Sequence, residues 1–395
     1  MNLYFQDNLS SIVFQPACLT HMPSSVEVSD IWGNGGSGIG RGSHSTRTAL
    51  GEYFERRHFY MEIIPCTTGK LSHTLTKKEQ LKLGTALIQT SSKTTTLRSI
   101  NRHEFNLTKV YRAKDFTECF IPSALISLSS HKIEKDNELY PLRDTCGCSF
   151  HRNAEKAIFG SLKEQLERQF LVRYWLTSKC RKILSQVEID QLKIQGPASA
   201  IYSNLINTGS VSVIDISDRH FPGKCLLLVY GNDSESASVR YCAGMAYSAT
   251  PAEALEKSLL ELWQTYRFMD VFHTTNGRIR EIHDPYLQHF MNCNHYKTYA
   301  DIVAFIQEGS SQDIHTMPFT TQGLLDSLNA NEITGFIYLK PIQIEGATYF
   351  AAKYVSPDLF LHMNSSRNIN LSNQYSAHFF EAIMPERQQV MVPFP

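Results

Sequence analysis

The sequence predicts an α+β chain, with mixed β-sheets flanked by helices and an internal pseudo-symmetry around a shared centre. Three observations carry this. Three long amphipathic helices bear glutamates at related spacings. Two of them, with the turns ahead of them, align without a gap, Gly147 meeting Gly244 at an offset of 97 residues. Around them run short β-branched or aliphatic stretches bounded by turn residues, the signature of strands.

Residues 1–31 form a mixed N-terminal segment with Pro16 and Pro23. Its opening, "MNLYFQD", resembles the remnant of a protease site and is given no role. Next comes "WGNGGSGIGRGSHS", Trp32 to Ser45, the most glycine-dense part of the chain. Gly33, Gly35 and Gly38 spell a dinucleotide fingerprint, but no strand is predicted ahead of them and no acidic residue closes a second strand. A P-loop is ruled out, because Arg41 and Gly42 stand where Lys and Ser/Thr belong. Two readings stay open: a flexible surface loop, or a lid whose amides and Arg41 close over phosphates beside the following helix N-terminus. Helices are predicted over about 46–63, 153–175 and 251–271. "VSVIDISD" and "KCLLLVYG" read as strands between the last two, "GFIYLKPIQI" and "TYFAAKYVS" as strands after them. No clean linker interrupts the chain, so 1–395 reads as one intertwined domain ending in the tail "MVPFP".

In the 97-residue repeat Phe150 meets Tyr247, Ala157 meets Ala254, Ser161 meets Ser258, Leu162 meets Leu259 and Glu164 meets Glu261. The first helix joins through Leu-x-Glu-x-x-Glu-Arg, shared by "LGEYFER" and "LKEQLER". This spacing is no solenoid period. It brings helices round a centre. On the first helix Thr48, Glu52, Glu55 and Arg56 share one face. If the three faces converge, the centre holds Glu52, Glu55, Glu164, Glu167 and Glu261 with Arg56, Arg168 and Lys257. Crowded carboxylates repel unless protonated or neutralised. Magnesium, a hard cation that prefers oxygen ligands and keeps positions for phosphates, neutralises them well. The arginines and the lysine then hold phosphate oxygens. The competing reading is a solvated face decorated with i,i+4 ion pairs. Solvated faces have no reason to repeat one spacing, and these helices repeat it.

Lys plus Arg is 38 and Asp plus Glu is 38, a balance that argues against a general nucleic-acid binder. No run of 18 apolar residues and no secretory signal appear, so no membrane span is expected. The 9 cysteines are an odd, scattered set, read as reduced thiols of a cytoplasmic protein. "CGC" and "CNH" lack the paired spacing of structural zinc, and no nucleophile elbow is present.

These residues resemble the YcaO superfamily of ATP-dependent peptide-backbone-modifying enzymes. The family's Ser-x3-Glu-x2-Glu-Arg appears as Thr48, Glu52, Glu55 and Arg56. Its second region appears as Ser149 followed by Glu164, Glu167 and Arg168. Its Arg-x3-Glu appears as Lys257 and Glu261. "PFP" at Pro393 to Pro395 matches the proline-rich end of the azoline-forming branch, and "GEYFERRHF", "DTCGCSFH" and "SPDLFLHMN" look like a cyclodehydratase subunit of that branch. The likeness runs from about Gly40 to the end. Lys156 and Gly160 depart from the family's Ser-x6-Glu-x3-Gln, Lys257 from its Arg, and "GRG" from its Gly-Lys-Gly.

The resemblance implies a YcaO-like fold around a central nucleotide site, with ATP and Mg2+ as cofactors. Arg41, Thr48, Arg56, Ser149, Arg168 and Lys257 would contact ATP. Glu52, Glu55, Glu164, Glu167 and Glu261 would hold the metal. In the implied reaction a Cys, Ser or Thr side chain of a precursor peptide attacks the preceding carbonyl. The oxyanion takes the γ-phosphoryl group, and loss of phosphate leaves a thiazoline or oxazoline. The tail would enter the active site, with the Pro395 carboxylate as catalytic base. Implied partners are a leader-binding E1-like subunit, an FMN-dependent azoline dehydrogenase and the precursor peptide, with a homodimer of this chain inside the synthetase. Two rivals remain: a superfamily member that installs thioamides or amidines, and a non-catalytic nucleotide-binding scaffold.

Overall fold

Among the described residues, short stretches bounded by turn residues pair into three antiparallel sheets and one short parallel pair, Lys179–Cys180 with Gln307–Glu308, and each antiparallel sheet ends in a strand that leads into one long helix. The computed structural model describes residues 9–14, 22–282, 284–309, 317–364 and 366–394. The first sheet orders Leu9–Phe14, Ser24–Asp30 and Gly35–Gly40. The second orders Tyr241–Ser248, Lys224–Gly231, Ser210–Asp215 and Lys182–Ile183. The third orders Thr67–Gly69, Phe105–Arg112, Phe336–Ile344, Ala347–Val355 and Cys148–His151, with Glu118–Pro122 also paired to Phe105–Arg112. The four strands expected after residue 200 are all present. Pro341 lies inside Phe336–Ile344, which pairs along its length with Ala347–Val355 but with Phe105–Arg112 only at Phe336 and Ile337. Its missing N–H therefore interrupts no second ladder.

The repeat is reproduced residue for residue. Helices Ala154–Thr177 and Pro251–Thr274 both have 24 residues, and both ends obey the offset. Asn153 and Thr250, at matching positions, cap them by accepting from the third helical amide, Lys156 and Glu253 respectively. The first helix, Ser43–Arg57, runs on as one π-helical turn, His58–Glu62. Small buried residues one turn apart recur in all three: Ser45 and Ala49, Ala157 and Ser161, Ala254 and Ser258.

The glycine-rich stretch is neither a surface loop nor a lid. It is a turn followed by the strand Gly35–Gly40, and the strand Ser24–Asp30 does precede it. The Asp30 carboxylate builds the turn, accepting from Trp32 N at 2.9 Å, Asn34 N at 3.0 Å and Tyr53 Oη at 3.0 Å. The glycines let the strand lie backbone against backbone on the first helix. A Cβ on Gly36 would stand 2.2 Å from the Ala49 carbonyl, and one on Gly38 would stand 2.1 Å from that of Ser45. Gly244 repeats the device, its Cβ position being 2.2 Å from Leu262 N and 2.3 Å from the Ser258 carbonyl.

Candidate active site

The strands before the three helices, Gly35–Gly40, Cys148–His151 and Tyr241–Ser248, are all edge strands of their sheets. Edge amides are normally a liability. Here several of them turn to glutamates. Ser37 N donates to Glu52 at 2.6 Å, Met245 N to Glu261 at 3.2 Å, and Tyr247 N to Glu167 at 2.6 Å. Gln264 of the third helix donates to the Ser37 hydroxyl, tying the third helix to the first sheet.

Between these elements lies a cavity of about 2030 Å³. Thr48, Glu52, Glu55, Arg56, Ser149, Arg168, Lys257 and Glu261 line it, as do Glu27, Lys163, Gln264 and Tyr286. Glu164 and Glu167 do not line it but join it through charge. The carboxylates form a row in which each feels its neighbour. Burial and then Glu52 push Glu27 up to about 7. Burial and then Glu52 push Glu55 up to about 7, against Arg56 and Lys353. Burial and then Glu55 push Glu164 well above the carboxylate range, against Arg168 and Lys163. Burial and then Glu167 push Glu261 up to about 7. The Lys163 ammonium is raised: burial works against it, and the carboxylates of Glu167, Glu261 and Glu164 overrule that.

The carboxylates expected to converge on one site line one cavity wall or reach it through charge, and among the described residues no three acidic, histidine or cysteine side chains gather at metal-holding distance. The donor set still fits magnesium. It is all oxygen, strained by its own repulsion, and Mg2+ takes only one or two carboxylates while keeping waters and phosphates. Glu52 is paired with Arg56, and Glu164 with Arg168 at 3.8 Å.

Of the expected nucleotide contacts, Arg41 is exposed at the turn after Gly35–Gly40 and is not among the cavity-lining residues. Ser149 lies over Gly160, where an added Cβ would meet its hydroxyl at 2.3 Å; the departure at Gly160 makes room for Ser149. Lys156 is exposed on the first turn of its helix. Pro395 lies outside the described residues. The tail up to Phe394 is buried, Val392 and Phe394 being almost wholly covered.

Four residues of the site escaped the sequence. Glu27 had a signal, a lone charge alternating with Val26 and Val28, but its strand was not recognised. Lys163 sits beside the matched glutamates in "LKEQLER", a position with a local signal. Gln264 occupies the third-helix position equivalent to Glu55 and Glu167, where a neutral amide breaks the acidic pattern. Tyr286 arrives from a distant helix with no local signal.

The chain has relatives among known proteins. The model of the family described as YcaO cyclodehydratase, ATP- and Mg2+-binding, matches residues 37–332. The chain is 32% identical over 362 residues to the microcin B17-processing protein McbD of Escherichia coli, covering 91% of this chain and 90% of that one. It is similar to a chain of the E. coli microcin synthetase McbBCD complex, with 30% identity, a TM-score of 0.89 and coverage of 100% and 99% of the two chains. The same figures hold for that complex with pro-MccB17 bound. A YcaO from Methanopyrus kandleri bound with AMPPCP and Mg2+ matches at 12% identity and TM-score 0.59, covering 96% of this chain and 90% of that one, a likeness of fold alone.

Proposed function

The chain belongs to the YcaO cyclodehydratase family, and from that premise we propose how its residues turn Cys, Ser or Thr of a precursor peptide into azolines with ATP. The observation that carries the proposal is the row of carboxylates, Glu27 to Glu261, interleaved with Arg56, Lys163 and Arg168 in one cavity. Glu52, Glu55, Glu164, Glu167 and Glu261 are the metal-holding set, and Glu27 extends it. Bound magnesium supplies charge neutralisation for the triphosphate. Arg56, Arg168, Lys163 and Lys257 hold phosphate oxygens, with Thr48 and Ser149 as hydroxyl contacts. Phosphoryl transfer asks for positioning and charge stabilisation more than covalent chemistry, and this wall provides both. The peptide's nucleophile adds to the preceding carbonyl carbon and the amide oxygen accepts the phosphoryl group. Elimination of phosphate then forms the C=N bond, which an amide oxygen alone, a poor leaving group, would not allow. In this reading the tail, buried as far as Phe394, serves the same reaction, and the Pro395 carboxylate is the base proposed to take the proton released by the nucleophile.

The McbBCD complex and its form with pro-MccB17 support partners of the same kind here: an E1-like leader-binding subunit, an FMN-dependent azoline dehydrogenase and a precursor peptide. A homodimer of this chain inside that assembly is the finer reading, open to native mass measurement. Among the described residues no helix is long and apolar enough to cross a membrane. Site of action is assigned as the cytoplasm.

The test is ATP turnover coupled to loss of one water per ring in the assembled synthetase, followed by mass spectrometry. Ring formation should stop when magnesium is chelated and when Glu164→Gln replaces the wild type. Rings that form without ATP consumption would overturn the proposal.

A further inference from the structure

The last residues of the chain are held by their carbonyls. Pro393 offers no N–H, so the tail has few donors of its own. Three aromatic side chains supply donors to it. Trp175 Nε1 donates to the Val390 carbonyl at 2.9 Å, Tyr241 Oη to that of Pro393 at 2.8 Å, and Tyr286 Oη to that of Phe394 at 2.5 Å. The Phe394 ring meets Trp175 edge-on, centroids 6.2 Å apart.

Two of these donors are buried inside the core, but Tyr286 is different. It lines the cavity and lies within the field of Arg168. It sits in the first turn of the helix Pro285–Asn292, whose cap Asp284 accepts from Tyr286 N at 2.8 Å and also lines the cavity. One turn further, His289 meets the backbone of Met391 and Val392. The helix therefore grips the tail at two points three residues apart on one face. We propose that Tyr286 is a positioning residue, whose hydroxyl fixes the Phe394 carbonyl and so sets where the tail meets the cavity beside Arg168. This rests on the reading that the tail serves the active site.

The test is a double-mutant cycle of Tyr286→Phe and deletion of Pro395, in the chain assembled with its partner subunits, with pro-MccB17 as probe peptide. Phenylalanine keeps the ring and removes only the donor. Each single change should slow ring formation on the order of a hundredfold, the cost of a small misplacement at a reacting centre. The KM for ATP should stay within about twofold, since only turnover is touched. The double variant should be no slower than either single one, because both act through one tail. Amide exchange over residues 390–394 of the full chain should rise in Tyr286→Phe. If the Pro395 deletion makes rings at the wild-type rate, the tail reading fails and the clamp with it. If the deletion is slow but Tyr286→Phe is as fast as wild type, only the clamp is overturned. Losses that multiply in the double variant overturn it too.

Discussion

Helices Ala154–Thr177 and Pro251–Thr274 share length, cap and offset, yet their glutamates live differently. Glu261 takes an amide from its own edge strand, Met245 N. At the corresponding place ahead of Glu164, Cys148 N donates to the Thr145 carbonyl instead. Glu164 is left with Arg168 at 3.8 Å. The packing differs as well. The first of the two helices buries 14 residues between the second and third sheets, whereas the other buries 8, Ala254, Ser258, Leu262, Thr265 and Met269 along one stripe with Leu255, Leu259 and Trp263 beside it. Length, capping and offset are common to both, while the burial and the amide partner differ. The difference separates a carboxylate held ready from one that must find its partner in a cation.

The largest effect should come from the scaffold itself. Gly244→Val presses a side chain into Leu262 N and the Ser258 carbonyl, both backbone atoms. It should cost about 3 kcal/mol or more, visible as a lowered denaturation midpoint. A midpoint equal to wild type would mean that strand and helix are not in backbone contact.

Next come the two glutamates. Glu164→Gln and Glu261→Gln should each lower ATP turnover on the order of a hundredfold. Without magnesium they should diverge. Glu164→Gln removes the worst repulsion and should raise stability by about 1 kcal/mol, while Glu261→Gln should gain less, since the Met245 amide already favours its charge and a neutral acceptor takes that bond more weakly. Equal gains in a denaturant titration would erase the contrast between the helices.

The pH dependence is a gentler probe. Glu55 and Glu261 rise from 4.5 to about 7 in the folded chain. Between those values the native state holds protons that the unfolded chain has released, so the contribution of these two groups to metal-free stability falls as pH rises from 4.5 to 7. Thermal melts across that window should show the decline, flatter in Glu261→Gln. A rising curve would contradict the buried, protonated row.

The smallest effect is expected at Gly160, the position that the repeat aligns with Lys257. Gly160→Ala gains helix propensity of about 1 kcal/mol, displaces the Ser149 hydroxyl at 2.3 Å, which can turn aside, and presses lightly on its Cβ at 3.2 Å. Stability should change little, and ATP affinity should fall a few fold if Ser149 contacts the nucleotide. A collapse in stability comparable to Gly244→Val would show that Ser149 cannot swing aside.

The helices and their glutamates were legible because a 3.6-residue period and a repeated spacing are local properties. Their exact correspondence followed from the same repeat. The glycine strand was not legible, since its glycines answer to the helix backbone they touch, Ala49 and Ser45, not to any local turn. Glu27 was lost with that strand. The grip of Tyr286 on Phe394 joins residues 108 positions apart, and no sequence window spans such a distance. That no three of the described carboxylates gather at metal-holding distance was equally hidden, because convergence depends on how three sheet edges face one another.

Glu27, Glu55 and Glu261 all release their protons near 7. A cation that settles on this row must therefore displace hydrogen ions, and loading becomes an exchange with a definite stoichiometry. Calorimetric heats of magnesium uptake should depend on the ionisation enthalpy of the buffer, and apparent affinity should climb with pH until the last proton is gone.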